Sequence, residues 1–123
     1  MTTAALLITI GRVVFGAFFI IAGIRNTLNF KERRVMKTNF GWTLPAPLAA
    51  IGIAIQFLGG ISVLLGLWTV AGALALIVFL IPATLLFHNF LMFSGKERAP
   101  HLYLTLVNTT LVGCLLMIIG NAL

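Results

Sequence analysis

Residues 46–90 read APLAAIGIAIQFLGGISVLLGLWTVAGALALIVFLIPATLLFHNF. This run holds no acid, lysine or arginine, and before His88 its only amide or imidazole is Gln56. A membrane span needs about 20 apolar residues, so the run is long enough for two. It is punctuated once, at Gly66-Leu67-Trp68-Thr69, which reads as a tight turn with Trp68 at a membrane–water interface. Pro45 and Pro47 suit a helix's first turn, where the missing N–H is not needed. The reading is two helices, about 46–65 and 70–90, folded back on each other. Pro82 removes one backbone hydrogen bond from the second and should loosen or kink it.

Two further apolar stretches flank this hairpin. The first helix is expected from about residue 4 to 25, with Gly11, Gly16, Ala17, Ala22 and Gly23 allowing close helix contact. No basic segment precedes it, so it reads as a retained helix rather than a signal peptide. The fourth helix is expected over about 101–121. Four spans nearly exhaust 123 residues and leave room for one domain, residues 1–123, with no soluble part. Composition agrees: 61% of residues are hydrophobic and 8% charged, against about 25% charged in soluble domains. The expected fold is all-α, an integral membrane four-helix bundle in up-down-up-down order with short loops.

The polar residues of the spans then stand out. Arg25 and Asn26 end the first helix, Gln56 lies in the second, His88 and Asn89 end the third, and His101 and Asn108 open the fourth. All seven fall in one half of the bilayer. Facing lipid they would cost several kcal/mol each, so they should turn inward and meet. This cluster is the candidate ligand-binding site.

The formal charge is +6. Without a soluble surface this is no nucleic-acid signal; it reports topology. Arg25 and the two basic loops hold seven of the eight cations, which puts those loops in the cytoplasm and both termini outside. The first loop carries Lys31, Arg33, Arg34 and Lys37 among Phe30, Val35, Met36, Phe40 and Trp42, the pattern of an interfacial segment on anionic lipid or a partner. Arg12 is the exception, two turns into the first helix. The only acids, Glu32 and Glu97, lie in loops at the other end. Arg12 must therefore snorkel to lipid phosphate, or meet the Leu123 carboxylate, the last carbonyls of the fourth helix, or an acid on another protein.

Catalytic signatures are missing. There is no Walker loop, no H-E-x-x-H, no nucleophile elbow and no intramembrane carboxylate. Cys114 has no intrachain partner. A metal site from His and Gln alone is poor by ligand type. Haem on His88 and His101 is disfavoured because the two should sit at different depths. A quinone is the better candidate ligand: His88, Gln56 and Asn26 offer polar contacts, and Phe87, Phe90 and Phe93 offer apolar walls.

The order and spacing of Gly11-Arg12, Phe15-Gly16, Ala22-Gly23, Leu44-Pro45-Ala46-Pro47, Gln56-Phe57-Leu58-Gly59-Gly60, Leu65-Gly66-Leu67-Trp68-Thr69 and Leu85-Leu86-Phe87-His88 resemble the DoxX-like family of small four-helix bacterial membrane proteins. The resemblance implies a multi-pass protein of a prokaryotic cytoplasmic (inner) membrane, associated with oxidoreductase assemblies and quinone chemistry. Family members commonly carry Lys where this chain has Asn26 and Glu where it has Gln56. If those positions face each other, an ion pair has become an amide pair here, and chemistry that needs the carboxylate is lost. The expectation is an accessory subunit of a membrane respiratory or oxidoreductase complex that contacts quinone or lipid, without catalytic activity of its own. Its partners would be the lipid bilayer and a membrane protein complex or further copies of itself. An independent quinone-reactive protein and a small-solute carrier or pore are the alternatives.

Overall fold

The computed structural model describes all 123 residues. Five α-helices follow in order: α1 (Thr3–Leu28), the single turn α2 (Phe30–Arg33), α3 (Ala46–Leu65), α4 (Thr69–Phe87) and α5 (Arg98–Ala122). There is no strand; an isolated bridge pairs Lys37 with Thr43 in the first loop. The four long helices are each apolar and long enough to cross a membrane.

Local chemistry sets the ends. Thr2 caps α1, its hydroxyl accepting from the Ala5 N–H at 3.0 Å. α3 begins at the expected prolines and ends on Gly66, whose φ of 71° suits a residue without a Cβ. The turn is stapled by Ser62, whose hydroxyl reaches the carbonyls of Leu67 (2.5 Å) and Trp68 (3.0 Å). α4 runs through Pro82 and stops at Phe87, short of the expected residue 90. His88 leaves helical geometry at φ −132°, and its carbonyl takes the Thr105 hydroxyl of α5. Asn89 then caps a short 3-10 turn, accepting from the Leu91 N–H at 3.2 Å. α5 starts three residues before the expected His101, with Pro100 in its first turn.

Packing follows the chain: α1 on α3, α3 on α4, α4 on α5, while α1 and α5 scarcely approach each other. Each packed pair is antiparallel. Ascending α1 positions 16, 23 and 26 meet descending α3 positions 60, 57 and 56. Gly59 and Gly52 meet Leu76 and Phe79 of α4, and Thr84 meets Asn108 of α5. Phe19, Val63, Ala73, Leu76, Leu80 and Leu115 form the buried core, drawn from all four long helices. Only 13 of 123 residues are buried, so most apolar side chains must take lipid as their solvent.

The α1–α3 seam is the tightest. A Cβ on Gly16 would lie 2.7 Å from the Gly60 carbonyl oxygen and the Leu64 nitrogen, and one on Gly23 would lie 2.9 Å from the Phe57 Cβ. Small residues let these backbones touch and gain dispersion contacts, which drive helix association where lipid removes the hydrophobic difference.

Candidate functional site

Five of the seven polar residues of the basic half, Asn26, Gln56, His88, His101 and Asn108, form two interhelical contacts rather than one cluster. Between α1 and α3, the Asn26 amide nitrogen donates to Gln56 Oε1 at 2.8 Å. Gln56 is buried and Asn26 half-buried. The two positions that the family resemblance singles out therefore do face each other. The pair is neutral and has no proton to transfer near physiological pH; it holds α1 on α3.

Between α4 and α5, His88 and His101 approach through Nδ1 at 3.4 Å, long for a hydrogen bond. The Thr105 hydroxyl is shared between the His88 carbonyl and that of His101, the latter at 2.8 Å. One turn deeper, the Asn108 amide donates to the Thr84 hydroxyl at 2.9 Å, which in turn donates to the Leu80 carbonyl at 2.7 Å. Phe93 stacks on the His101 ring at 3.6 Å between centroids and 5° between planes. Asn89 serves the local turn. Arg25 is exposed and stands apart from both contacts, as do Lys31, Arg33, Arg34 and Lys37.

One residue in this half escaped the sequence reading. Asn39, in the first loop, donates from its backbone N–H to the Leu86 carbonyl at 2.6 Å and from its side chain to the Leu85 carbonyl at 3.1 Å. A helix leaves its last carbonyls without partners, and Asn39 satisfies two of them at the end of α4. The loop is thus tethered to the bundle as well as facing the interface. Nothing at sequence level marks an asparagine that acts on residues 46 positions away.

A large cavity lies at the opposite end. It measures about 1120 Å³ and occupies the gap between α1 and α5, with the start of α4 as its floor. Ile8, Gly11, Arg12 and Phe15 form one wall; Cys114, Met117, Ile118 and Asn121 form the other. Arg12 bends back against the α3–α4 turn, so close to Gly66 that a Cβ there would lie 2.7 Å from the guanidinium carbon. The C-terminal end of α3 carries partial negative charge and favours a cation. Arg12 Nε is nevertheless buried with no hydrogen-bond partner. Arg12 was singled out by its sequence position, whereas the cleft was not. Its sequence signals are Gly11 beside the cation and the early turn at Gly66.

Two other polar side chains of this half, Thr9 and Ser62, are engaged within the chain. The Thr9 hydroxyl donates to the Ala5 carbonyl at 2.8 Å, and Ser62 staples its turn.

Among known families, the model described as DoxX matches residues 7–89, from the second turn of α1 to just beyond the end of α4. No curated protein and no solved structure matches the chain.

Proposed function

We propose that this chain, which belongs to the DoxX family, is a non-catalytic subunit of a membrane oxidoreductase assembly in a prokaryotic cytoplasmic membrane. The observation that carries this reading is the Asn26–Gln56 bond at 2.8 Å. The one buried polar side chain of the long helices, Gln56, is closed by a neutral amide, where an acid and a base would have made a reactive couple. Around it, Asn108, Thr84, Thr105 and Asn39 are likewise bonded within the chain. Such groups hold helices together and leave the redox chemistry to a partner.

Purification from native membranes in mild detergent tests this, with mass spectrometry of co-eluting proteins and an absorption spectrum and quinone extraction of the same fraction. Stoichiometric co-elution with a cytochrome or dehydrogenase is the expected result. A solitary species that carries its own quinone, lost on His88→Ala, would overturn it in favour of an independent quinone-reactive protein.

A further inference from the structure

Arg12 and the cleft beside it set a chemical requirement that the chain itself does not meet. Arg12 Nε is buried without an acceptor, and an unpaired buried donor on a charged group is among the costliest polar defects. The two acids of the chain cannot supply that acceptor. Glu32 lies in α2 and Glu97 at the start of α5, both at the basic-loop end. The floor of the cleft is the first turn of α4, with Thr69, Val70 and Ala71. No side chain caps that turn, so its first N–H groups remain available to an acceptor beside Arg12. The lining as a whole is mostly apolar, ten of its fifteen residues being hydrophobic.

We propose that this cleft holds one anionic phospholipid, its phosphate on Arg12 and an acyl chain running along Phe15, Leu74 and Ile118. The depth fits. Gly66 and Trp68 belong to the turn between two spans, the level of the headgroups, and Arg12 lies against that turn. The volume, about 1120 Å³, exceeds the roughly 300–1,000 Å³ of ordinary small-molecule sites. A free inorganic anion would pair Arg12 and leave the walls bare. A neutral lipid would cover the walls and leave the guanidinium without its counter-charge. A partner helix would need an acid placed at this depth, where the bilayer already supplies phosphate.

The test uses the purified full chain with Trp42→Phe, so that Trp68, on the rim of the cleft, is the sole tryptophan and can be excited selectively over Tyr103. The protein is reconstituted in mixed phosphatidylcholine–phosphatidylglycerol vesicles in which one or the other lipid carries brominated acyl chains. At equal mole fraction, brominated phosphatidylglycerol should quench Trp68 with a preference of about fivefold, the factor expected for one cation among headgroups. Arg12→Gln should abolish the preference and Arg12→Lys should keep most of it. Gly11→Leu, which fills the cleft while leaving the charge, should abolish it too, since a Cβ at Gly11 meets nothing within 4 Å. Equal quenching by the two lipids overturns the proposal. So does a preference that survives Arg12→Gln, which would place the lipid on the basic loops, or one that survives Gly11→Leu, which would place it outside the cleft. Loss of a co-purifying protein on Arg12→Gln, with no lipid preference in the wild-type chain, would give the cation to an acidic partner and also overturn it. Because the quenching is read on the isolated chain, its outcome is independent of whether the subunit reading holds.

Discussion

Two glycines of α1, five residues apart, should respond oppositely to the same substitution. At Gly16 an added methyl meets the backbone of α3: the Gly60 carbonyl oxygen and Leu64 nitrogen at 2.7 Å, and the Leu64 Cβ at 2.8 Å. None of these is the end of a flexible side chain, so α1 and α3 must part. Gly23 and Gly60 lie on the same seam and lose contact as they do. At Gly11 the methyl meets nothing within 4 Å. Both substitutions gain the same helix preference, about 1 kcal/mol over glycine. In the difference between the variants that gain cancels, leaving the packing term alone. Overpacking costs about 1–3 kcal/mol, so Gly16→Ala should be less stable than Gly11→Ala by that amount. A difference of about 2 kcal/mol is a roughly 30-fold change in the folded-to-unfolded ratio. The assay is reversible unfolding of detergent-solubilised protein by titration with sodium dodecyl sulfate, followed by circular dichroism. Gly11→Ala should equal or exceed wild type. If the two variants unfold together, the close approach of α1 and α3 is wrong.

The Asn26–Gln56 contact predicts non-additivity. Replacing either residue with Leu leaves a buried amide unpaired, and replacing both removes the defect, so a double-mutant cycle should return a coupling of about 0.6–2 kcal/mol; no coupling would mean the two side chains do not meet. Asn39→Ala should cost about 1 kcal/mol by freeing the Leu85 carbonyl and should speed tryptic cleavage at Lys37; an unchanged rate would remove the tether. The charge distribution predicts both termini outside, so terminal tags should be digested by protease added to spheroplasts while basic-loop tags survive; the reverse pattern would invert the topology.

Four spans and the α3–α4 turn can be read from residue types, whereas the facing of Asn26 and Gln56 enters only as a condition raised by the family resemblance. The spans and the turn are features for which a membrane leaves little choice. A run of 45 residues without acid, lysine or arginine has to span twice, and a buried amide has to find a partner. The end of α4 and the start of α5 each lie three residues from where the sequence places them. There the contest is between the helix and side chains that bond the backbone locally or from α5, as Asn89 and Thr105 do. The open seam was not readable at all. In a soluble helix an apolar stripe marks the inner face, but a helix in lipid is apolar on every face and the stripe disappears. Only small residues and polar groups remain as markers. Glycines locate the α1–α3 and α3–α4 seams, and nothing of that kind says whether α1 closes on α5.

The two halves of the bundle treat polar groups in opposite ways, and this bears on where the protein meets other molecules. In the basic half the amides and hydroxyls are bonded to one another across two helix pairs. A ligand entering there would have to replace bonds already made, such as the 2.8 Å contact of Asn26 with Gln56, and would gain only the difference. In the terminal half, one guanidinium has a buried nitrogen with no bond to lose, beside a gap that neither α1 nor α5 fills. A ligand there gains the whole of its interaction with the cation and displaces nothing but lipid chains. Polar residues of the spans are more numerous in the basic half, seven against Thr9, Arg12 and Ser62 in the other. Binding free energy depends instead on how many of those groups remain unpaired, and by that measure the single arginine outweighs the seven.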